Sequence, residues 1–165
     1  MMTKVQDTTT PAPTPLPVAL EQAVTLWLLA IGAGVFETIL VVANVAWGDG
    51  SLANGESLGA GVAIRLGIFA AMTLVALQLR LGKNWARWTI GIVLGVFGLL
   101  SLLIQPLSWL MEGHAVSEAF ANLNLASAAF MLSRAVHMLA VVAATVLMFV
   151  PTSNQFFRAQ RGSGQ

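Results

Sequence analysis

The sequence predicts an all-α integral membrane protein, a four-helix transmembrane bundle with both termini in the cytoplasm. Three observations predict it. First, 57% of the residues are hydrophobic and only 9% are charged, with a mean hydropathy of +0.80, whereas a soluble domain is typically about 25% charged. Second, the chain contains four apolar stretches, each at or above the roughly 20 residues needed to span a hydrocarbon core. Third, the basic residues between them fall on one side of the threaded chain and the acidic ones on the other.

The elements follow in order. Residues 1–20 read as a disordered cytoplasmic tail: Lys4 and Asp7 precede the run TTTPAPTPLP, whose Thr/Pro composition stays extended and buries no core. It lacks the basic start and directly following apolar stretch of a signal peptide. The bundle occupies 21–151. Its first span covers about 23–47 and is closed by WGDGSLANGES, rich in turn formers. The second covers about 58–81, and the tight link GKN joins it to the third, about 85–109. Gln105-Pro106 loosens the end of that span. The loop from Leu107 to Asn124 mixes apolar and acidic residues and reads as a short helix at the interface. The fourth span covers about 125–150 and Pro151 closes it. Residues 152–165 form a second cytoplasmic tail, in which Phe156, Phe157, Arg158 and Arg161 make an interfacial anchor.

Charge sets the expected orientation. With the N-terminus inside, the inner segments hold Lys4, Arg80, Lys83, Arg87, Arg158 and Arg161, while the outer loops hold Asp49, Glu56, Glu112 and Glu118 and no Lys or Arg. This is a positive-inside pattern, with both termini in the cytoplasm. At the inner hairpin, Lys83 and Arg87 with Trp85 and Trp88 read as a membrane anchor at headgroup level. Gly91, Gly95 and Gly98 give the third span a small-residue face for close helix packing.

Composition also excludes functions. The absence of cysteine removes disulfide scaffolds, Cys-based zinc sites and thiol oxidoreductases. A net charge of +1 carries no nucleic-acid signal. No hydrolase, P-loop, deaminase or kinase pattern is present. His114 falls in the loop, so His137 has no second histidine at its depth for haem ligation. The chain is therefore expected to be non-enzymatic, with no cofactor and no metal.

Glu37, Arg65 and Arg134 are the exceptions inside the apolar stretches. A charge near the middle of a span costs roughly 2.5–3.5 kcal/mol. At a rise of about 1.5 Å per residue, they lie roughly 15, 11 and 14 Å below the outer ends of their helices. His137 sits one turn from Arg134 on the same face, and Asn44 shares the Glu37 stripe. One expectation is structural: Glu37 paired with one arginine, locking the bundle. The other follows from charge counting, since one carboxylate cannot neutralise two guanidinium groups that never deprotonate. The surplus cation then calls for an anion, such as a lipid headgroup in an outward-opening polar pocket.

The hairpin LRLGKNWARWTIGIVLG and the tail PTSNQFFRAQR, taken with four spans and a Pro/Thr-rich start, resemble the small tetraspan membrane proteins abundant in actinobacteria. These typically carry a G-[RK]-x-W-A-R hairpin after the second helix and a Pro-x-(S/A)-N-x-(F/Y)-F-like segment after the fourth. The resemblance implies a plasma-membrane location in a mycolate-type or related bacterium and no catalytic residues. Glu37, Arg134 and His137 depart from the blander members. The expected role is an accessory or interaction subunit of a membrane or envelope complex. The alternative is a lipid-binding or transport-assisting protein. The expected partners are membrane lipids and either another membrane protein or a further copy of this chain.

Overall fold

The computed structural model describes residues 15–48, 50, 52, 58–121 and 123–162. The tail up to residue 14, with Lys4, and the loop acids Asp49 and Glu56 lie outside the described residues. The chain is all-α, and four of its helices are long and apolar enough to cross a membrane. They are α1 (Val18–Trp47), α2 (Leu58–Arg80), α3 (Asn84–Met111) and α5 (Leu125–Phe149). A single turn, α4 (Glu118–Ala121), lies between α3 and α5, and α6 (Pro151–Gly162) follows α5.

Local chemistry explains the boundaries. Pro17 is extended, and its carbonyl accepts from the amides of Leu20 and Glu21, so α1 begins earlier than the apolar run and takes in residues assigned to the disordered tail. Leu20 is completely buried. Gly82 turns α2 into α3 at φ +69°, a conformation that favours glycine. Asn124 and Ser127 form a reciprocal capping box that starts α5, each side chain accepting from the other's amide. Val150 is extended, as the residue before a proline tends to be, and Pro151 opens α6 rather than ending helical structure.

The spans are not packed evenly. The end of the bundle that carries Leu20, the Gly82 turn and α6 will be called the terminal end, and the opposite one the loop end. α1 packs chiefly on α5 and then on α2, while α2 packs on Asn84–Ile90 at the start of α3 and only sparsely on the rest of it. The core gathers at the terminal end, where Leu20, Trp27, Leu79, Ile90, Met148 and Phe157 are sealed. Trp27 is therefore a core residue, unlike Trp47, Trp85 and Trp88, which are exposed.

The tail after Pro151 is structural. Phe156, Phe157 and Ser153 of α6 are buried, so the two phenylalanines seal the core, and of the four expected anchor residues only Arg158 and Arg161 are exposed. Ser153 Oγ donates to the Leu147 carbonyl, and the Asn154 amide donates to that of Phe149, satisfying the open end of α5. Arg87 is the partner of this helix. Its guanidinium donates to Asn154 Oδ1 and lies 4.1 Å over the Phe149 ring and 5.1 Å over that of Phe157. Only 5% of Arg87 is exposed, which corrects its assignment as a headgroup anchor. Lys83, Trp85 and Trp88 do remain on the surface. The hairpin and the tail, the two segments that carry the resemblance, thus meet in space.

The α3 glycines take different roles. Residues Gly91–Gly98 form a π-helical segment, a wider turn than α. Gly91 faces Met148 and Phe149, and Gly95 faces Thr145 and Trp27, so both admit α5 closely. A Cβ at Gly98 would meet only Val93 and Leu94 of its own helix, so Gly98 is not a helix-packing residue. A Cβ at Gly95 would stand 3.1 Å from Thr145 Oγ1. Gly95→Leu is accordingly expected to lower unfolding stability by about 1–3 kcal/mol through overpacking, read from denaturant titration in detergent. An equally stable Gly95→Leu protein would show that α3 and α5 can separate freely.

Candidate functional site

Above the sealed core, α1, α2, α3 and α5 diverge and enclose a cavity of about 580 Å³. Glu37, Arg65, Arg134 and His137 all line it, joined by Gln105 and Ser101 from α3. The sequence-derived polar layer therefore converges on one space. Asn44 does not belong to it. Its side chain accepts from the Leu52 amide at 2.9 Å and its carbonyl accepts from Gly48, so it organises the turn after α1.

The expected Glu37–arginine ion pair does not form. Glu37 is 8% exposed, and its Oε1 faces His137 Nδ1 at 3.2 Å and accepts from Ser133 Oγ at 3.5 Å. His137 and Ser133 are four residues apart on α5, so one helix face supplies both contacts. Gly34, one turn from Glu37, makes this approach possible. A Cβ there would stand 2.7 Å from the Phe69 ring and 3.2 Å from His137 Cε1.

Arg134 instead turns to α3. Its guanidinium donates to Gln105 Oε1 at 3.3 Å and to the Leu102 carbonyl at 3.1 Å, and it lies 5.5 Å from the centre of the Phe130 ring. Both hydrogen-bond acceptors are neutral, and its buried Nε has no hydrogen-bond partner. Pro106 explains why Leu102 is available. A proline four residues on has no N–H to donate, so the Leu102 carbonyl lacks its normal helical donor. The helix itself continues through Pro106 to Met111, so the proline frees an acceptor more than it loosens the span. Arg65, from α2, faces the same cavity and lies close enough to Arg134 for their charges to repel.

Ser133, Gln105 and the Leu102 carbonyl are the site groups that sequence reasoning missed. Pro106 carries the signal for the last, because the carbonyl four positions before an internal proline lacks its helical N–H donor. At the loop end a separate polar contact sits apart from the cavity. His114 Nδ1 pairs with Glu118 Oε2 at 2.9 Å, and the imidazole stacks on Trp109 at 4.9 Å. The His114 hydrogen bond, helped by the Ala115 amide, holds the Glu118 carboxyl below its usual range. These contacts order the short α4 turn.

Chemically, the cavity offers two guanidinium groups, a carboxylate shared between an imidazole and a hydroxyl, the neutral side chains of Thr38, Ser101 and Gln105, and otherwise apolar walls. Among the described residues no cluster of three His, Asp or Glu side chains could hold a metal ion. No family model, curated protein or solved structure matches the chain.

Proposed function

We propose that this chain is a non-enzymatic, multi-pass plasma-membrane protein that binds an anionic lipid-like group in the cavity, with both termini cytoplasmic and the cavity in the outer half of the bilayer. One observation carries the reading: Arg65 and Arg134 line a single cavity of about 580 Å³, and both hydrogen-bond acceptors of the Arg134 guanidinium, Gln105 Oε1 and the Leu102 carbonyl, are neutral. Arginine keeps its charge in proteins and matches carboxylates and phosphates through its planar fork of donors. Two such groups beside a low-dielectric space favour a bound anion over a second cation or a neutral ligand. The volume falls in the range of small-molecule sites, about 300–1,000 Å³.

The orientation in this reading rests on the positive-inside pattern, with Arg80, Lys83, Arg158 and Arg161 at the terminal end and Glu112 and Glu118 at the other. Lipid binding takes precedence over the accessory-subunit role because the structure offers a ligand-sized cavity, and a subunit role calls for a partner-facing feature instead.

The test is retention of anionic lipid by native mass spectrometry for wild type, Arg65→Ala and Arg134→Ala. Each variant is expected to retain at least about tenfold less than wild type, the loss of one charge-assisted contact worth roughly 1.5–3 kcal/mol. Equal retention by all three proteins would end the proposal.

A further inference from the structure

The cavity continues past its charged layer as an apolar slot, and three helices agree on the direction. On α3, Arg134 contacts Leu102 and Gln105, which fixes the charged layer roughly 14 Å below Met111. Val93, Leu94, Phe97 and Gly98 also line the cavity and lie four to nine residues nearer the terminal end, roughly 6–13 Å deeper. On α2, which runs the other way, Ile68 and Phe69 lie beyond Arg65. On α1, Gly34 lies one turn beyond Glu37. His137, beside Gly34 and Phe69, is the one titratable group at this depth, and the α3 side of the slot is apolar.

The π-helical segment forms the back of this slot, and its last residue leaves it unfilled. A Cβ at Gly98 would meet nothing nearer than 3.5 Å, and only atoms of its own helix. The slot is also open at the side. Ile68, Phe97 and Ile104 are 41%, 65% and 63% exposed, and α2 packs only sparsely on α3 beyond Ile90. In a bilayer that side faces hydrocarbon.

The geometry points to the ligand class: a single-chain amphiphile with a compact anionic head, a carboxylate or phosphate monoester, whose head meets Arg65 and Arg134 and whose hydrocarbon chain runs along the Gly91–Gly98 segment, reached sideways from the bilayer between α2 and α3. This rests on the anion-binding reading above and specifies its ligand. The head is compact because the layer lies well below the loop end and offers only Gln105 and Ser101 as further neutral side-chain partners on α3. A bulky polar head buried there would leave hydrogen-bonding groups unmet.

The experiment measures binding to the purified full chain by native mass spectrometry, using acetate, octanoate, palmitate, inorganic phosphate, dodecyl phosphate and dodecylamine as probes. It compares wild type with Arg134→Ala, Gly98→Leu and Ile68→Trp. Affinity is expected to rise from acetate to palmitate, with palmitate or dodecyl phosphate bound and dodecylamine not. Gly98→Leu replaces glycine by a better helix former, and its melting temperature serves as the folding control. With Ile68→Trp as a second block of the same slot, it is expected to weaken palmitate about tenfold while leaving inorganic phosphate and acetate unchanged. Arg134→Ala is expected to weaken every anionic probe. Acetate binding as tightly as palmitate, or palmitate binding undiminished in both slot variants, would overturn the chain path and leave the anion reading standing. Dodecylamine binding as well as palmitate, or no anion binding at all, would overturn both.

Discussion

Trp27→Ala is expected to lower the unfolding free energy by about 3 kcal/mol, more than any other truncation in the bundle. Trp27 is fully buried near the terminal end of α1. Its indole N–H points to Met148 Sδ on α5 at 3.3 Å, and its ring edge approaches the bare backbone of Gly95 on α3. One side chain therefore joins three spans. Truncation removes many dispersion contacts that lipid cannot replace inside a sealed core. The magnitude is set at the low end of the range for large-to-alanine changes, because a membrane bundle gains little from moving apolar surface out of water. Trp27→Phe keeps most of the ring volume and loses the N–H contact, so it should cost clearly less. Trp47, at 86% exposed, supplies the control: Trp47→Ala should change stability by less than about 0.5 kcal/mol. Denaturant titration in a fixed micelle reads all three. A Trp27→Ala protein as stable as Trp47→Ala would mean that the core is not where the packing places it.

Trp27 also marks how far the fold can be read from the sequence. The four long helices were legible because an apolar run of sufficient length has few other solutions. The amphipathic ring of tryptophan favours membrane boundaries, yet position within the run decides each case. Trp27 stands well inside α1, and there the ring fills the core. The same reasoning separates Arg87 from Lys83. Both lie in the hairpin, but Arg87 falls three residues after Asn84 on the face that α6 covers, and its planar group stacks on Phe149 and Phe157. For α6 the expectation is a tail closed off by Pro151, although Ser153, Phe156, Phe157 and Gln160 recur at helical spacing after a proline fit to start a helix.

The site was legible in depth but not in pairing. Rise per residue alone brings Glu37, Arg65, Arg134 and His137 to one level. It cannot decide which partners meet, because that depends on helix rotation and on neutral groups of little sequence prominence. Gly34 admits His137 to Glu37. Pro106 frees the Leu102 carbonyl for Arg134. For the widening of α3 at Gly91–Gly98, three glycines in eight residues mark the segment as deformable without specifying its hydrogen-bond pattern.

Glu37→Gln separates a structural role for the charged layer from a ligand-binding one, because the two predict different responses to added anion. Glutamine keeps the size of the side chain and an oxygen able to accept from Ser133 and His137, so the contacts at Oε1 can persist while the charge is lost. If Glu37 served only to balance the arginines, removing it would leave buried cations uncompensated. Stability would then fall by about 3–5 kcal/mol, and added anion would recover none of it. If the arginines hold an anionic head, Glu37 is a like charge beside that ligand. At roughly 8 Å and an effective dielectric of about 20, the repulsion is about 2 kcal/mol. The expected result is palmitate affinity raised about 30-fold, with a lowered melting temperature for the empty protein that saturating palmitate restores by mass action. Binding measured by native mass spectrometry and melting with and without palmitate give the two readouts. Reduced palmitate affinity in a folded Glu37→Gln protein would refute the ligand assignment, since no electrostatic route lets the removal of a neighbouring negative charge weaken a bound anion.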